Sequence, residues 1–216
     1  RGMTMEIIKC ELRDGVLAIP ESKLKQIVSE LSAGRLIVYP TDTVYGLGCD
    51  PFDETAIKRI YMAKRRPFDM AMSIMVKDLR MMEEIAILDE RSRLLVKRFM
   101  PGPLTIIVTK RPNVPDILTA STNEIGLRIP DNPVAMKLIE EFGPLVTTSA
   151  NVHSHGNPRT CDEAVADLGP SVSIYLDGGP TAVGKPSTIV QLTDQEITLI
   201  RQGALSPETI KAALNE

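Results

Sequence analysis

Only three cysteines, Cys10, Cys49 and Cys161, occur in the chain, too far apart for a CxxC-type metal site. An odd number in a chain of this size argues against a disulfide framework and reads as reduced, cytosolic cysteine. His153 and His155 are the only histidines, which leaves little room for a zinc centre or a Ser-His-Asp triad elsewhere. No apolar run approaches the ~20 residues that a membrane-spanning helix needs, and no secretory signal is visible. Excess positive charge is missing too: the formal net charge of −3 gives no global case for nucleic-acid binding, so any such role must rest on a local patch. The GxxxxGK[ST] loop, a GxGxxG fingerprint behind a strand, HExxH and GxSxG are all absent. Repeats, low-complexity segments and obvious linkers are likewise missing.

What is present reads as one domain over 1–216, with Arg1-Gly2 ahead of Met3 set aside as an expression remnant. Leu24, Ile27, Val28 and Leu31 recur at helical spacing and Gly34 stops that helix. Leu36 to Tyr39 has the β-branched content of a buried strand, ended by Pro40, and the polar run Thr41-Asp42-Thr43-Val44-Tyr45-Gly46-Leu47-Gly48 follows it. Asp53 can cap a second helix that carries Ile57, Ile60 and Tyr61 on one face and runs into Lys64-Arg65-Arg66 before Pro67. Strands are expected at 73–76, 104–109, 125–129, 145–148, 172–176, 188–192 and 197–201, with one or two helices across 79–99 and further helices behind Asn132 and Ser206. Helices alternating with strands, and a strand-rich final third, predict an α/β fold built on a twisted, mixed parallel and antiparallel sheet with flanking helices. Polar turns at the ends of several strands would line one cavity if they share a side of the sheet.

Four groups could carry chemistry. Lys58, Arg59, Lys64, Arg65 and Arg66 crowd one helix and its exit, as a solvated face or as a phosphate clamp fixed by Pro67. Arg128 sits inside the apolar strand Ile125–Ile129, so its guanidinium needs either a substrate carboxylate or an internal ion pair. Thr147-Thr148-Ser149-Ala150-Asn151 offers hydroxyls and close backbone approach for a nucleotide, or simply a turn or helix cap. Pro186-Ser187-Thr188 and Arg201-Gln202-Gly203 are weaker, with a plain turn as the alternative. Cations, hydroxyls and amides of this kind suit anionic substrates and the charge stabilisation of phosphoryl or nucleotidyl transfer.

Taken together and in order, YPTDTVYGLG, Lys64-x-Arg66-Pro67, PGPLT, GLRIPDNP, TTSAN, PSTIV and IRQG resemble the YrdC-like family of threonylcarbamoyl-AMP synthases over about residues 20 to 203. The resemblance implies a mixed sheet around a large positively charged cavity. It also implies an activity that joins L-threonine, bicarbonate and ATP, with Mg2+ on the nucleotide, into threonylcarbamoyl-adenylate and pyrophosphate. It implies that Thr43, Arg128, Thr148 and Ser187 hold threonine, and that Lys64 and Arg66 act on the phosphates as catalytic groups. Ser149, Ala150, Asn151 and Arg201 would complete the ATP site, with no metal bound by the protein itself. Downstream proteins that transfer the threonylcarbamoyl group to tRNA are the implied partners, direct contact with tRNA or double-stranded RNA is possible, and no membrane is involved. A noncatalytic RNA-binding or ribosome-maturation paralogue is the alternative within the same family. Two departures concern the lid over ATP: Ala71-Met72 stands where Pro-Leu is common, and the turn after Asn151 is about two residues longer. Met70 and Met75 could line the pocket, although methionine more often packs a core. The glycines Gly46 and Gly48 are expected to leave room for ligand and backbone to meet.

Overall fold

A computed structural model describes residues 5–67 and 71–215. Met70 and the Arg1-Gly2 pair lie outside the described residues. The chain opens with β1 (Glu6–Lys9) and a short hairpin, β2 (Glu11–Arg13) with β3 (Val16–Ala18), followed by α1 (Leu24–Ser32) and β4 (Ile37–Tyr39). Next come β5 (Gly46–Gly48), α2 (Glu54–Lys64), β6 (Ser73–Met75), α3 (Leu79–Glu83) and α4 (Glu90–Phe99). The middle of the chain holds β7 (Leu104–Thr109), β8 (Glu124–Arg128), α5 (Pro133–Phe142) and β9 (Leu145–Ser149). The last segment contributes α6 (Cys161–Leu168), β10 (Ile174–Asp177), β11 (Thr188–Leu192), β12 (Ile197–Arg201) and α7 (Pro207–Leu214).

Ten of these strands form one sheet in the order β1-β10-β4-β5-β9-β6-β8-β7-β11-β12. The pairs β1/β10, β10/β4, β6/β8 and β7/β11 are parallel and the rest antiparallel, as the alternating then strand-rich sequence predicts. Strand β9 is the joint: Thr148 and Ser149 pair with β5, while Leu145 to Thr147 pair with β6. The polar turns that follow β4 and β9 are thereby brought beside one another.

Both faces of the sheet are covered, which explains why β4 reads as an unbroken apolar run. Successive side chains on a strand point to opposite faces. Ile37 and Tyr39 accordingly pack with Ile27 and Leu31 of α1 and Leu138 and Ile139 of α5, and Val38 joins Ile57, Ile60 and Leu95 on the other side. Met75 is fully buried in the first of these clusters and is core packing, so its expected place in the pocket is not met.

The helix ends follow their capping residues. Asp53 accepts from Ala56 N at 3.1 Å, Asn132 accepts from Val134 N and Ala135 N ahead of Pro133, and Ser206 accepts from Thr209 N. Helix α2 closes on Arg65 in a left-handed conformation (φ 52°), which swings the chain so that Lys64 and Arg66 face different surroundings.

Gly48 corrects the reading made from sequence. A Cβ there would fall 2.7 Å from Val146 O and 2.8 Å from the Tyr39 ring, and one at Gly46 would fall 2.9 Å from the same ring. At Gly48 the space is therefore filled by Tyr39, whose hydroxyl donates to Val146 O at 3.3 Å, whereas Gly46, against the same ring, also borders a cavity. Gly48→Ala is expected to lower stability by ~1–3 kcal/mol through overpacking. A urea midpoint that falls with unchanged slope checks this, and an unshifted midpoint would refute it.

Candidate functional site

The turn behind β4 folds on its own side chains. Thr41 Oγ1 donates to Val44 O at 2.6 Å and accepts from Thr43 N at 3.1 Å, which holds Thr43 with its hydroxyl toward β8. Arg128, the last residue of β8, meets it there. Its Nη1 donates to Thr43 Oγ1 at 2.9 Å, its Nε to Gly102 O at 3.0 Å, and its Nη2 to Asp42 Oδ1. Asp131 N also donates to Asp42 Oδ1, at 3.2 Å. Leu127 and Ile129 point into the core, so alternation sends Arg128 the other way, as expected. Of the two sequence alternatives for Arg128 the internal ion pair is present, and the residue also borders a cavity. Three of its five donors are used, which leaves two for a ligand. Burial pulls the guanidinium below its ordinary value, and Asp42 opposes that pull.

The cavity lies where the turns after β4 and β9 meet and has a volume of about 250 Å3. That is below the ~300–1,000 Å3 of sites that enclose a drug-sized ligand, so it fits an amino acid better than a whole nucleotide. Arg66, Arg128 and Arg201 all border it, no carboxylate does among the described residues, and Thr43, Thr148, Ser149 and Ser187 add hydroxyls. The lining is therefore cationic. A second hollow, about 560 Å3 and more open, is bounded by Asn151, His155, Glu163 and Asp167, and Asn157 borders both.

Lys64, Ala150 and Asn151 are not among the residues that border the main cavity, and Asn151 borders the second hollow. Lys64 is 3% exposed, and its ammonium donates to Ser149 O at 2.5 Å, Asn151 O at 2.9 Å and Asn151 Oδ1 at 3.0 Å. All three of its N–H groups are thus spent on the turn that follows β9. Burial, then the neighbouring Arg66, push Lys64 down to about 7. Asn151 Nδ2 in turn donates to His155 O and Gly156 O at 2.9 Å each, so the longer turn is tied to the same side chain. Ala150 is fully buried.

Arg66 does reach the cavity. Its Nη2 donates to Ala71 O at 2.7 Å and its Nη1 to Thr148 Oγ1 at 3.3 Å, while Nε is buried and has no partner among the described residues. On the opposite side, Arg201 donates through Nε and Nη2 to Ser187 O at 3.1 and 2.9 Å. Ser187 Oγ lies 2.7 Å from Thr105 Oγ1. Ala71 and Met72, noted from sequence as a departure, border the cavity, as does Thr105, which was not singled out from sequence. The signal for Thr105 was a hydroxyl inside the apolar strand Leu104–Thr109, on the face opposite Leu104 and Ile106.

Among the described residues no three His, Cys, Asp or Glu side chains gather as a metal site, and no helix is long and apolar enough to cross a membrane. Fold and lining together define an α/β protein with a small, cationic, hydroxyl-rich site for an anionic ligand. The family model described as "Telomere recombination" (Sua5, YciO, YrdC) matches residues 29–203, and the chain belongs to this family. It is 35% identical over 200 residues to the threonylcarbamoyl-AMP synthase of Pyrococcus abyssi, covering 92% of this chain and 59% of that protein. It is 32% identical over 186 residues to the threonylcarbamoyl-AMP synthase of Vibrio vulnificus, covering 84% of this chain and 99% of that one. The crystal structure of P. abyssi Sua5 complexed with L-threonine superposes with a TM-score of 0.92 at 34% identity, over 98% of this chain and 62% of that one. The chain thus spans about three fifths of the Pyrococcus protein and nearly all of the Vibrio one.

Proposed function

We propose that this chain is a threonylcarbamoyl-AMP synthase, a nucleotidyltransferase that joins L-threonine, bicarbonate and ATP and releases pyrophosphate. The observation that carries the reading is the convergence of three arginines on a cavity with no carboxylate among its described lining residues. Relatives with the same activity in their names, and a close structural match complexed with L-threonine, support it.

In this reading the amino-acid carboxylate takes the two open donors of Arg128 beside Thr43. Asp42 holds the guanidinium so that those donors face the cavity. Bicarbonate takes a proton from the threonine ammonium and breaks down to carbon dioxide and water; the free amine then adds to the carbon of carbon dioxide and loses a second proton to solvent, which leaves a carbamate. A carbamate oxygen then bonds to the α-phosphorus as the bond to the bridging β-phosphate oxygen breaks, and pyrophosphate leaves. Arg66 offsets the charge that grows on the phosphate oxygens. Arg201 and Ser149 flank the phosphates, and Ser187 and Thr148 complete the threonine end. Lys64 acts by fixing the Ser149–Asn151 turn, and the nucleotide extends from the main cavity past Asn157 toward the second hollow. No covalent intermediate with the protein is needed.

Magnesium is implied by the family, and the donors bordering the cavity are hydroxyls and carbonyls without a carboxylate cage. Among the described residues that set fits an ion carried on phosphate oxygens and water, where it would offset phosphate charge. A single-domain organisation, cytoplasmic location, and delivery of the product to proteins that modify tRNA belong to the same proposal. The test is a panel in which each amino acid in turn is incubated with protein, ATP, magnesium and bicarbonate while pyrophosphate is followed. Release confined to threonine supports the reading. Release indifferent to the amino acid, or none at all, overturns it.

A further inference from the structure

Thr105 occupies a place that the chemistry above does not use. It is 4% exposed, borders the cavity, and lies on β7 with Leu104 and Ile106 turned into the core behind it. The antiparallel register sets Ile106 against Leu127, and continued by one residue it brings Thr105 toward Arg128 on the neighbouring strand; both side chains border the cavity. Opposed residues on paired strands share a face, with Cβ atoms ~4.5–5.5 Å apart. The register with β11 brings Ile189 alongside Thr105, next to Ser187. A small group bound to Arg128 is thus within reach of the Thr105–Ser187 hydroxyl pair.

The rotamer of Thr105 is set by its surroundings. A Cβ at Gly126 would lie 3.3 Å from Thr105 Cγ2 and 2.5 Å from Ser73 Oγ, so the methyl leans into the space that this glycine leaves. The hydroxyl is turned to Ser187 Oγ at 2.7 Å, and Arg201 Nη2 donates to Ser187 Oγ at 3.3 Å. Two hydroxyls carry two donors and four acceptor lone pairs. Their mutual bond takes one of each and Arg201 takes one more lone pair, which leaves one donor and two acceptors. That remainder is the complement of a single alcohol.

We propose that Thr105 is a specificity-determining residue, which together with Ser187 reads the β-hydroxyl of the amino-acid substrate whose carboxylate is held by Arg128. This rests on the reading of the cavity as an amino-acid site. A substrate with a methyl in place of the hydroxyl would strand the donor and acceptors of the pair, whereas threonine satisfies them. Sites built to bond a hydroxyl reject the analogue that lacks it far more strongly than an apolar pocket rejects an extra group.

The test compares wild type, Thr105→Val and Thr105→Ser, using adenylate formation with L-threonine, L-serine and L-2-aminobutyrate, and with KM measured for the amino acid and for ATP. Valine is isosteric and favoured in a strand, and Thr105→Ala serves as a second hydroxyl-free variant should valine disturb folding. Loss of the hydroxyl is expected to reduce the preference for threonine over 2-aminobutyrate by about 10-fold, one hydrogen bond's worth. The change falls on the KM for threonine, KM for ATP stays near that of wild type, and Thr105→Ser keeps the preference. Unchanged discrimination in the hydroxyl-free variants, or an equal rise in KM for ATP, overturns the assignment. If wild type itself shows no threonine-dependent product, it is the functional reading that fails and not the role of Thr105 within it.

Discussion

Arg66→Ala is expected to lower kcat/KM for pyrophosphate release by about 10²–10³-fold, the effect of removing one donor from a preorganised anion site. The side chain is anchored through Nη2 to Ala71 O and through Nη1 to Thr148 and borders the cavity, so it meets the ligand already oriented. Little stability should be lost, because its partners are one carbonyl and one hydroxyl at the cavity rim. Lysine at the same position is expected to recover only part of the activity, since an ammonium cannot reproduce the planar fork that holds Ala71 and Thr148. Steady-state kinetics with a thermal melt checks both halves. Activity within about tenfold of wild type in Arg66→Ala would remove Arg66 from the chemistry.

Asp42→Ala is expected to destabilise the fold by ~3–5 kcal/mol, because it leaves the Arg128 charge buried without its counter-ion. The pair is nearly closed to water, with side chains 9% and 7% exposed, and Asp42 also accepts from Asp131 N, so the deletion releases the entry to α5 as well. Replacing both partners, as Asp42→Leu with Arg128→Met, is expected to recover most of that stability, since the cost lies in the uncompensated charge and not in the absence of the pair. The double variant should fold but bind threonine poorly, which separates the structural from the functional share of Arg128. Urea unfolding of the single and double variants decides it. A double variant as unstable as Asp42→Ala alone would show that packing and not charge governs this corner.

The sheet was legible wherever apolar runs were long enough to be buried on both faces, as at Ile37–Tyr39, Leu104–Thr109 and Leu145–Ser149. It was not legible at Gly46–Gly48, because two glycines in three residues give no strand propensity, and pairing with β4 and β9 supplies what the residues lack. Helix α6 was also missed: Cys161, Ala164 and Leu168 are its buried residues, too few and too small to announce a face. In the hairpin of β2 and β3 only Leu17 and Ala18 are partly buried, too little of a covered face for alternation to be read.

The site was legible as a set of residue types and less so as a geometry. Thr43, Arg66, Thr148, Ser149, Arg128, Ser187 and Arg201 all come to one cavity, from segments far apart in the chain. Spacing could not say on which side of a turn each side chain falls. Lys64 and Arg66 are two residues apart, yet the left-handed Arg65 between them directs one beneath the Ser149–Asn151 turn and the other to the cavity. Gly48 was read as room for ligand because a sequence does not show that Tyr39 returns to fill the space there. Thr105 was passed over because a lone hydroxyl in a strand is ordinary until a neighbouring strand brings Arg128 toward it.

The account stands or falls on whether amino acid, bicarbonate and nucleotide meet in one product. The direct measurement is mass spectrometry of the adenylate formed from ATP, magnesium and L-threonine in 13C-bicarbonate. The expected product contains AMP, threonine and a single carbon that carries the label, and it disappears when threonine is omitted. An adenylate without the labelled carbon, or pyrophosphate released with no threonine present, would contradict the assignment of this cavity.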